Sequence, residues 1–286
     1  MTRRLGVLGV VLCFLVALVA STQTVQALGL KVAPLEYRAT IGKGEKQKGF
    51  IDISNPNLET IRVKTSVQAF RQTDDNGTLE FFDSEQVSAG VKLDLDEFEL
   101  KGREAVRMYF LLDGTKLPKG DVFAAIFFTS TDGLTSGMVN QQVRLGTLLS
   151  LVNETPGSRD AVVEKLNTSF VQFGATTKGS YEIKNTAQSQ TTGFYPEVTL
   201  SSWPFGKTQK STSRLVFAGR TRATDFELQL PPLGLYKVTA TYGGSSKTNW
   251  ILVLHPLFLV SLGILAGITV ALVILRKQRR RKSDFF

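Results

Sequence analysis

Hydrophobic and polar positions alternate one by one through much of the chain. Ile61, Val63, Thr65, Val67 and Ala69 are separated by Arg62, Lys64, Ser66 and Gln68. A period of two over such a run predicts a strand with one face buried. Asp74-Asp75-Asn76-Gly77 follows and predicts a tight turn, Asn-Gly being a strong turn pair. Val106, Met108, Phe110 and Leu112 alternate with Arg107 and Tyr109, and Val143, Leu145, Thr147, Leu149 and Leu151 form another alternating strand. Val122 to Phe128 is almost continuously apolar, the pattern of a central strand. Turn signals recurring about every 8–12 residues predict a β-sandwich. No long stretch carries a helical period.

Two longer apolar runs break this pattern, one near each end. Leu5 to Ala20 follows Arg3 and Arg4 and precedes Val25-Gln26-Ala27. That order predicts a signal peptide over 1–27 with cleavage before Leu28. The second run, 250–275, predicts a transmembrane helix. From Pro256 to Leu275 there is no charge, and 20 residues at 1.5 Å each span about 30 Å, a bilayer core. Trp250 suits the interfacial belt. Arg276, Lys277, Arg279, Arg280, Arg281 and Lys282 follow at once, which predicts a cytoplasmic tail over 276–286 and an ectodomain outside the cell membrane. Gly263, Gly267 and Ala271 recur every four residues, a spacing that permits a homodimer through close helix approach.

The segment between the runs repeats itself. Gly49-Phe-Ile-Asp-Ile-Ser-Asn55 matches Gly179-Ser-Tyr-Glu-Ile-Lys-Asn185. Leu117-Pro118, Gly120 and Phe123 match Leu230-Pro231, Gly234 and Tyr236 in the same order. Two marks in one order predict two related sandwiches, and Glu-Thr-Pro-Gly-Ser at 154–158 marks the break. The expected fold is an all-β ectodomain of two tandem Ig-like β-sandwiches, 28–153 and 154–249, followed by one transmembrane helix.

Charge and composition narrow the chemistry. The chain of 286 residues carries a formal net charge of +9. The excess sits at the two ends beside apolar runs, a membrane pattern rather than a nucleic-acid stripe. Cys13 and His255 are the single cysteine and histidine. Cys13 lies inside the first apolar run, so no disulfide, Cys/His metal site or Ser–His–Asp nucleophile is expected in the folded body. No cofactor and no enzymatic activity are expected. The carboxylate clusters Asp74-Asp75, Asp83/Glu85 and Asp94/Asp96/Glu97 are the candidates for paired-acid hydrolysis, and the last is a candidate for Ca²⁺. Phe194, Tyr195, Trp203, Pro204 and Phe205 form the densest aromatic stretch of the second half. Trp203 and Phe205 are candidates for a partner surface. Val143, Leu145 and Leu149 are candidates for binding by strand addition.

An early Val32-Ala33-Pro34 strand, a strand ending in Asn55, a long alternating strand, and Leu117-Pro118 leading to Phe123 resemble the first domain of pilus-chaperone-like sandwiches. With two sandwiches, a signal, a span and a basic tail, the layout is similar to the WxL-interacting surface proteins of Gram-positive bacteria. That resemblance implies an outer domain on peptidoglycan and a membrane-side domain holding a secreted protein. The function expected is a membrane-anchored binding or scaffold protein that tethers an extracellular protein or wall polymer. The alternatives are an assembly chaperone lending the strand at Val143 to Leu151, and a carboxylate-dependent wall hydrolase. The cationic site by which pilus chaperones hold a carboxylate has no counterpart identifiable in the sequence.

Overall fold

The computed structural model describes residues 29–130, 142–174, 176–204, 206–231, 233–254 and 256–283. Two β-sandwiches follow one another. The first contains β1 (Lys31–Ala33), β2 (Glu36–Ile41), β3 (Lys46–Ser54), β4 (Ile61–Gln72), β5 (Leu79–Phe82), a short helix α1 (Glu85–Gly90), β6 (Val91–Leu93), β7 (Glu97–Leu100), β8 (Ala105–Asp113), β9 (Gly120–Ser130) and β10 (Arg144–Asn153). The second contains β11 (Ala161–Thr168), β12 (Val171–Phe173), β13 (Thr176–Asn185), β14 (Gly193–Phe194), β15 (Glu197–Trp203), β16 (Thr208–Thr212), β17 (Val216–Phe217), β18 (Thr221–Gln229), β19 (Leu233–Tyr242) and β20 (Ser245–Leu254). Helix α2 (Pro256–Ser283) follows.

Strand order is the same in both. One sheet of the first sandwich runs β1-β3-β8-β6 and its counterpart runs β11-β13-β18. The other sheet runs β2-β10-β9-β4-β5 and its counterpart β12-β20-β19-β15-β16. In each, the early short strand lies parallel to the last long one, β2 on β10 and β12 on β20. The repeated heptad explains itself in side chains. Gly49 and Gly179 sit opposite Phe110 and Phe226 on the neighbouring strands. A Cβ would fall 2.2 and 2.7 Å from those rings, so only glycine lets the phenyl groups cross. Asn55 and Asn185, closing the heptads, are both buried. Each accepts the N–H two residues on, from Asn57 and Ala187, and donates to carbonyls of the returning chain.

Alternation places Ile51, Ile53, Val63, Phe110, Ile126, Phe128, Leu149 and Leu151 in the first core. Tyr181, Ile183, Leu200, Tyr236, Val238 and Ile251 fill the second. Each such side chain contributes about 1.5–3 kcal/mol on burial. The continuous apolar run of β9 has both faces covered. Val122, Ala124, Ile126 and Phe128 point into the sandwich, while Phe123, Ala125 and Phe127 join a second cluster with Phe70 and Phe217.

Two expectations change. Trp250 to Leu254 belong to β20, with Trp250 opposite Lys237, so the helix starts at Pro256 and the second sandwich ends at Leu254. Asp83-Ser84-Glu85 opens α1: the Ser84 hydroxyl accepts from the Val87 N–H and Glu85 lies in the first turn, both stabilising a helix N-terminus. Among the described residues, no helix is long and apolar enough to cross a membrane. The side chains of 256, 257, 259, 262 and 275–283 lie outside the described residues, as do 1–28. The expected signal peptide and the basic groups Arg276, Lys277, Arg279, Arg280, Arg281 and Lys282 therefore lie outside them too. Gly263, Gly267 and Ala271 are exposed on α2, and a Cβ at Gly263 or Gly267 would meet nothing within 4 Å.

Candidate functional site

The N-terminal strand covers only half of β10. Glu36 to Ile41 pair with Leu148 to Asn153. At Leu35 the chain leaves that sheet, and Lys31–Ala33 pair with β3 in the opposite one. The crossing is pinned where the buried Thr147 hydroxyl donates to the Pro34 carbonyl at 2.7 Å. Leu148 N–H donates to the Leu35 carbonyl, while the Val143 carbonyl accepts from Ser130 on the β9 side. Backbone groups alternate in direction along a strand. The N–H and C=O of Arg144 and Gly146 therefore point to the side that β2 has left. Among the described residues, no strand pairs with Arg144–Thr147 there. An unpaired edge is a template for another chain. Inward from it, Val143 and Leu145 are only partly buried against the core. Outward, Arg144 lies 3.7 Å over the Phe127 ring and donates to Gln68 Oε1.

Where this edge ends, at Leu148, a cleft opens between the sandwiches. Arg38, Gln72, Leu79, Leu148, Tyr195, Arg214 and Arg222 are among the residues lining its 590 Å³. Tyr195 reaches across from the second domain. Its hydroxyl donates to Glu36 and takes a hydrogen bond with Ser150 at 2.8 Å. The Arg38 guanidinium lies 3.4 Å over the Tyr195 ring and binds both Glu36 oxygens. Burial, and then the Glu36 carboxylate, push the Tyr195 hydroxyl up to about 12. Burial alone would raise Glu36, but the Arg38 and Tyr195 hydrogen bonds hold it below its ordinary value. Arg222 is held below the ordinary guanidinium range, by burial first and by Arg214 second, and its Nε is buried without a partner. Three guanidiniums line the cleft with the one carboxylate Glu36, which Arg38 already binds, while Asp74 acts on Arg222 from beside it; the excess of cations suits an anionic group.

The cleft is set by the contacts that join the two sandwiches. Asp121, whose side chain is 1% exposed, receives both Arg159 terminal nitrogens at 2.7 Å and the Gly193 N–H at 3.3 Å. The Phe217 ring packs tilted against Phe123 at 4.5 Å between centroids and edge-on against Phe70 at 6.2 Å. Its N–H donates to the buried Gln72. The Asp74–Gly77 turn is part of the joint: Asp75 accepts from the Thr221 N–H, and a Cβ on Gly77 would fall 1.3 Å from Arg222 Nη1.

The sequence-derived candidates divide. Val143 and Leu145 flank the free edge, whereas Leu149 is fully buried and lies where β2 already pairs; it is core, not a contact surface. Trp203 is 63% exposed, and Phe205 lies outside the described residues. Phe194 is buried. The acid clusters serve local structure: Asp74 accepts from Gly77 and Thr78, Asp83 from Gln68, and Glu97 pairs with Arg62. Among the described residues, no group of three or more His, Cys, Asp or Glu is placed to hold a metal ion, so Asp94, Asp96 and Glu97 form no Ca²⁺ site. The cationic cleft was invisible in the sequence because Arg38 and Arg214 stand 176 positions apart and meet only through the joint.

No family model matches the chain, and no curated protein matches it. Among solved structures, it is similar to the class 5 fimbriae chaperone CfaA, with TM-score 0.41 and 10% identity over 79% of this chain and 100% of that one. It is also similar to a chain in the CsuC–CsuE chaperone–tip adhesion subunit pre-assembly complex of Acinetobacter baumannii (TM-score 0.38, 12% identity, 78% and 98% covered). A third is in the Salmonella enterica SafA pilin–SafB chaperone complex (0.36, 15%, 80% and 99%). These structures are counterparts of the pilus-chaperone-like half of the expected resemblance and do not support its WxL-interacting half.

Proposed function

We propose that the protein binds a partner polypeptide by strand addition at the free edge of β10, and that α2 holds it at a membrane. The observation that carries this is the departure of the N-terminal strand at Leu35, which leaves the backbone of Arg144 and Gly146 without a strand partner among the described residues, beside a partly open core. An extended segment added there gains main-chain hydrogen bonds, and its alternate side chains cover Val143 and Leu145. The cleft beyond Leu148 offers its guanidiniums to an acidic group on the same partner. The neighbours described as chaperones in complex with a pilin or a tip subunit are proteins that hold another chain, and this reading asks the same of the present one. It is a binding role and needs no catalytic group. Tethering of wall polymer has no supporting feature in the structure, so a protein partner replaces it as the leading reading.

The test exploits direction. Proline at 144 removes only an N–H that faces the free edge and leaves the β9 hydrogen bonds in place. Arg144→Ala removes the contacts with Phe127 and Gln68 but keeps the N–H. Capture of the surface partner from the native host should fall about tenfold in Arg144→Pro relative to Arg144→Ala, the loss of about 1.4 kcal/mol. Equal capture by the two folded variants overturns the proposal.

A further inference from the structure

The outer face of the sheet β12-β20-β19-β15-β16 changes character along its length. Cross-strand partners define its rows. Farthest from α2 lie Thr199, Thr241 and Ser246, then Ser201, Thr239 and Thr248, and the Thr239 and Thr248 hydroxyls are hydrogen-bonded at 3.1 Å. The next row is Trp203, Lys237 and Trp250. Then come Leu235, Leu252 and Val171, and finally Leu233, Leu254 and Phe173. Trp203, Trp250, Leu235, Val171, Leu233 and Phe173 are all exposed, Phe173 at 64%. The two tryptophans are the only ones in the chain, and both stand in one row with a lysine between them.

The order is hydroxyl, then Trp-Lys-Trp, then wholly apolar, and it runs toward α2. Leu254, in the last row, is one residue from Pro256. The described apolar side chains of α2, among them Val260, Ile264, Leu265, Ile268, Leu272 and Val273, are exposed around the helix. Apolar surface of this extent is covered by something when the protein is at work. From hydroxyls through tryptophan and lysine to apolar groups is the sequence met on passing from water through headgroups into acyl chains. A lysine amid tryptophans keeps its stem in the apolar layer and its charge at the headgroups.

We infer that this sheet face rests in the headgroup zone of the lipid bilayer, with the row of Trp203, Lys237 and Trp250 at its boundary. The inference rests on α2 being the membrane helix and adds where the second domain lies on that membrane. Rows two residues apart are about 6.8 Å from one another, so the three apolar rows extend about 14 Å. The headgroup zone on each side is only about 5–8 Å deep. The strands therefore lean toward the bilayer plane instead of standing along its normal, which brings the whole apolar end of the face into contact.

The full chain, with its two native tryptophans, supplies its own probe. Reconstituted into phosphatidylcholine/phosphatidylglycerol vesicles carrying lipids brominated near the headgroup end of the acyl chain, it should lose most of its tryptophan emission. Phe173→Glu/Leu235→Glu, both at exposed positions, should restore emission while the protein still floats with the vesicles. Flotation with unquenched tryptophans overturns the docked face and leaves the membrane helix standing. Unquenched tryptophans in a chain that cross-links as a dimer through this face also overturn it, assigning the face to a second copy. Failure to float takes down the membrane helix and the inference together.

Discussion

Tyr195 does the most at the residue scale, since its hydroxyl links Glu36 and Ser150 while its ring carries Arg38 across the domain joint. Its raised value gives a signed pH dependence. A folded-state hydroxyl at about 12 against an ordinary 10 binds its proton more tightly than the unfolded chain does. That stability is complete below pH 10 and drains away as pH rises toward 12. Glu36, lowered, acts at the other end: its contribution is present above the ordinary carboxylate range and is lost as pH falls through its depressed value. Tyr195→Phe should therefore flatten the alkaline loss of stability between pH 10 and 12 and move the acid loss to higher pH. Denaturant titrations across both windows check this, and an unchanged alkaline limb would remove Tyr195 from the joint. Residue-scale marks were legible where one side chain has one job. Gly49 and Gly179 each admit a phenyl ring, and Asn55 and Asn185 each satisfy a returning loop, so the motif repeats in the sequence. Tyr195 was not legible, because adjacent aromatics look alike and only the joint decides that Phe194 is buried and Tyr195 bridges.

Elements were readable where one face is wet. β4, β8 and β10 alternate because the sandwich covers one side only. β9 was read as central, correctly, but the reason for its unbroken run is the neighbouring domain, whose Phe217 covers Phe123. The end of β20 misled because its outer face turns apolar toward α2, so Trp250 to Leu254 merged with the helix run. The alternation of β10 marked it for strand addition, but which part of it stays free was not legible: the free edge exists because the chain changes sheets between Ala33 and Glu36, and no periodicity records which sheet a strand joins. Its consequence is an alternation in amide exchange. In the free protein Arg144 and Gly146 should exchange fast, while Leu145 and Thr147, bonded to β9, should exchange slowly. Uniform protection from 144 to 147 would mean that the edge is already covered.

The two sandwiches meet in a joint that is polar at one side, where Arg159 holds Asp121, and aromatic at the other, where Phe217 packs on Phe123. Asp121 is buried, and among the described residues Arg159 is the cation that balances it. Arg159→Ala would leave that carboxylate buried without a cation, at a cost of about 3 kcal/mol. Unfolding should then resolve into two transitions where the native chain shows one; a single, unshifted transition would contradict the coupling. Domain count, order and the strand pattern could be read from the sequence. The angle between the domains, and with it the cleft of Arg38, Arg214 and Arg222, could not, since it depends on pairs such as Asp121 and Arg159 that alternation does not mark.

The measurement that bears most directly on the binding edge is amide exchange of the full chain recovered in complex with its partner, compared with the free chain. Arg144 and Gly146 should pass from fast to slow exchange, while the opposite edge at β16 (Thr208–Thr212) stays as it was. Protection gained at β16 or elsewhere, with Arg144 and Gly146 still fast, would contradict strand addition at β10.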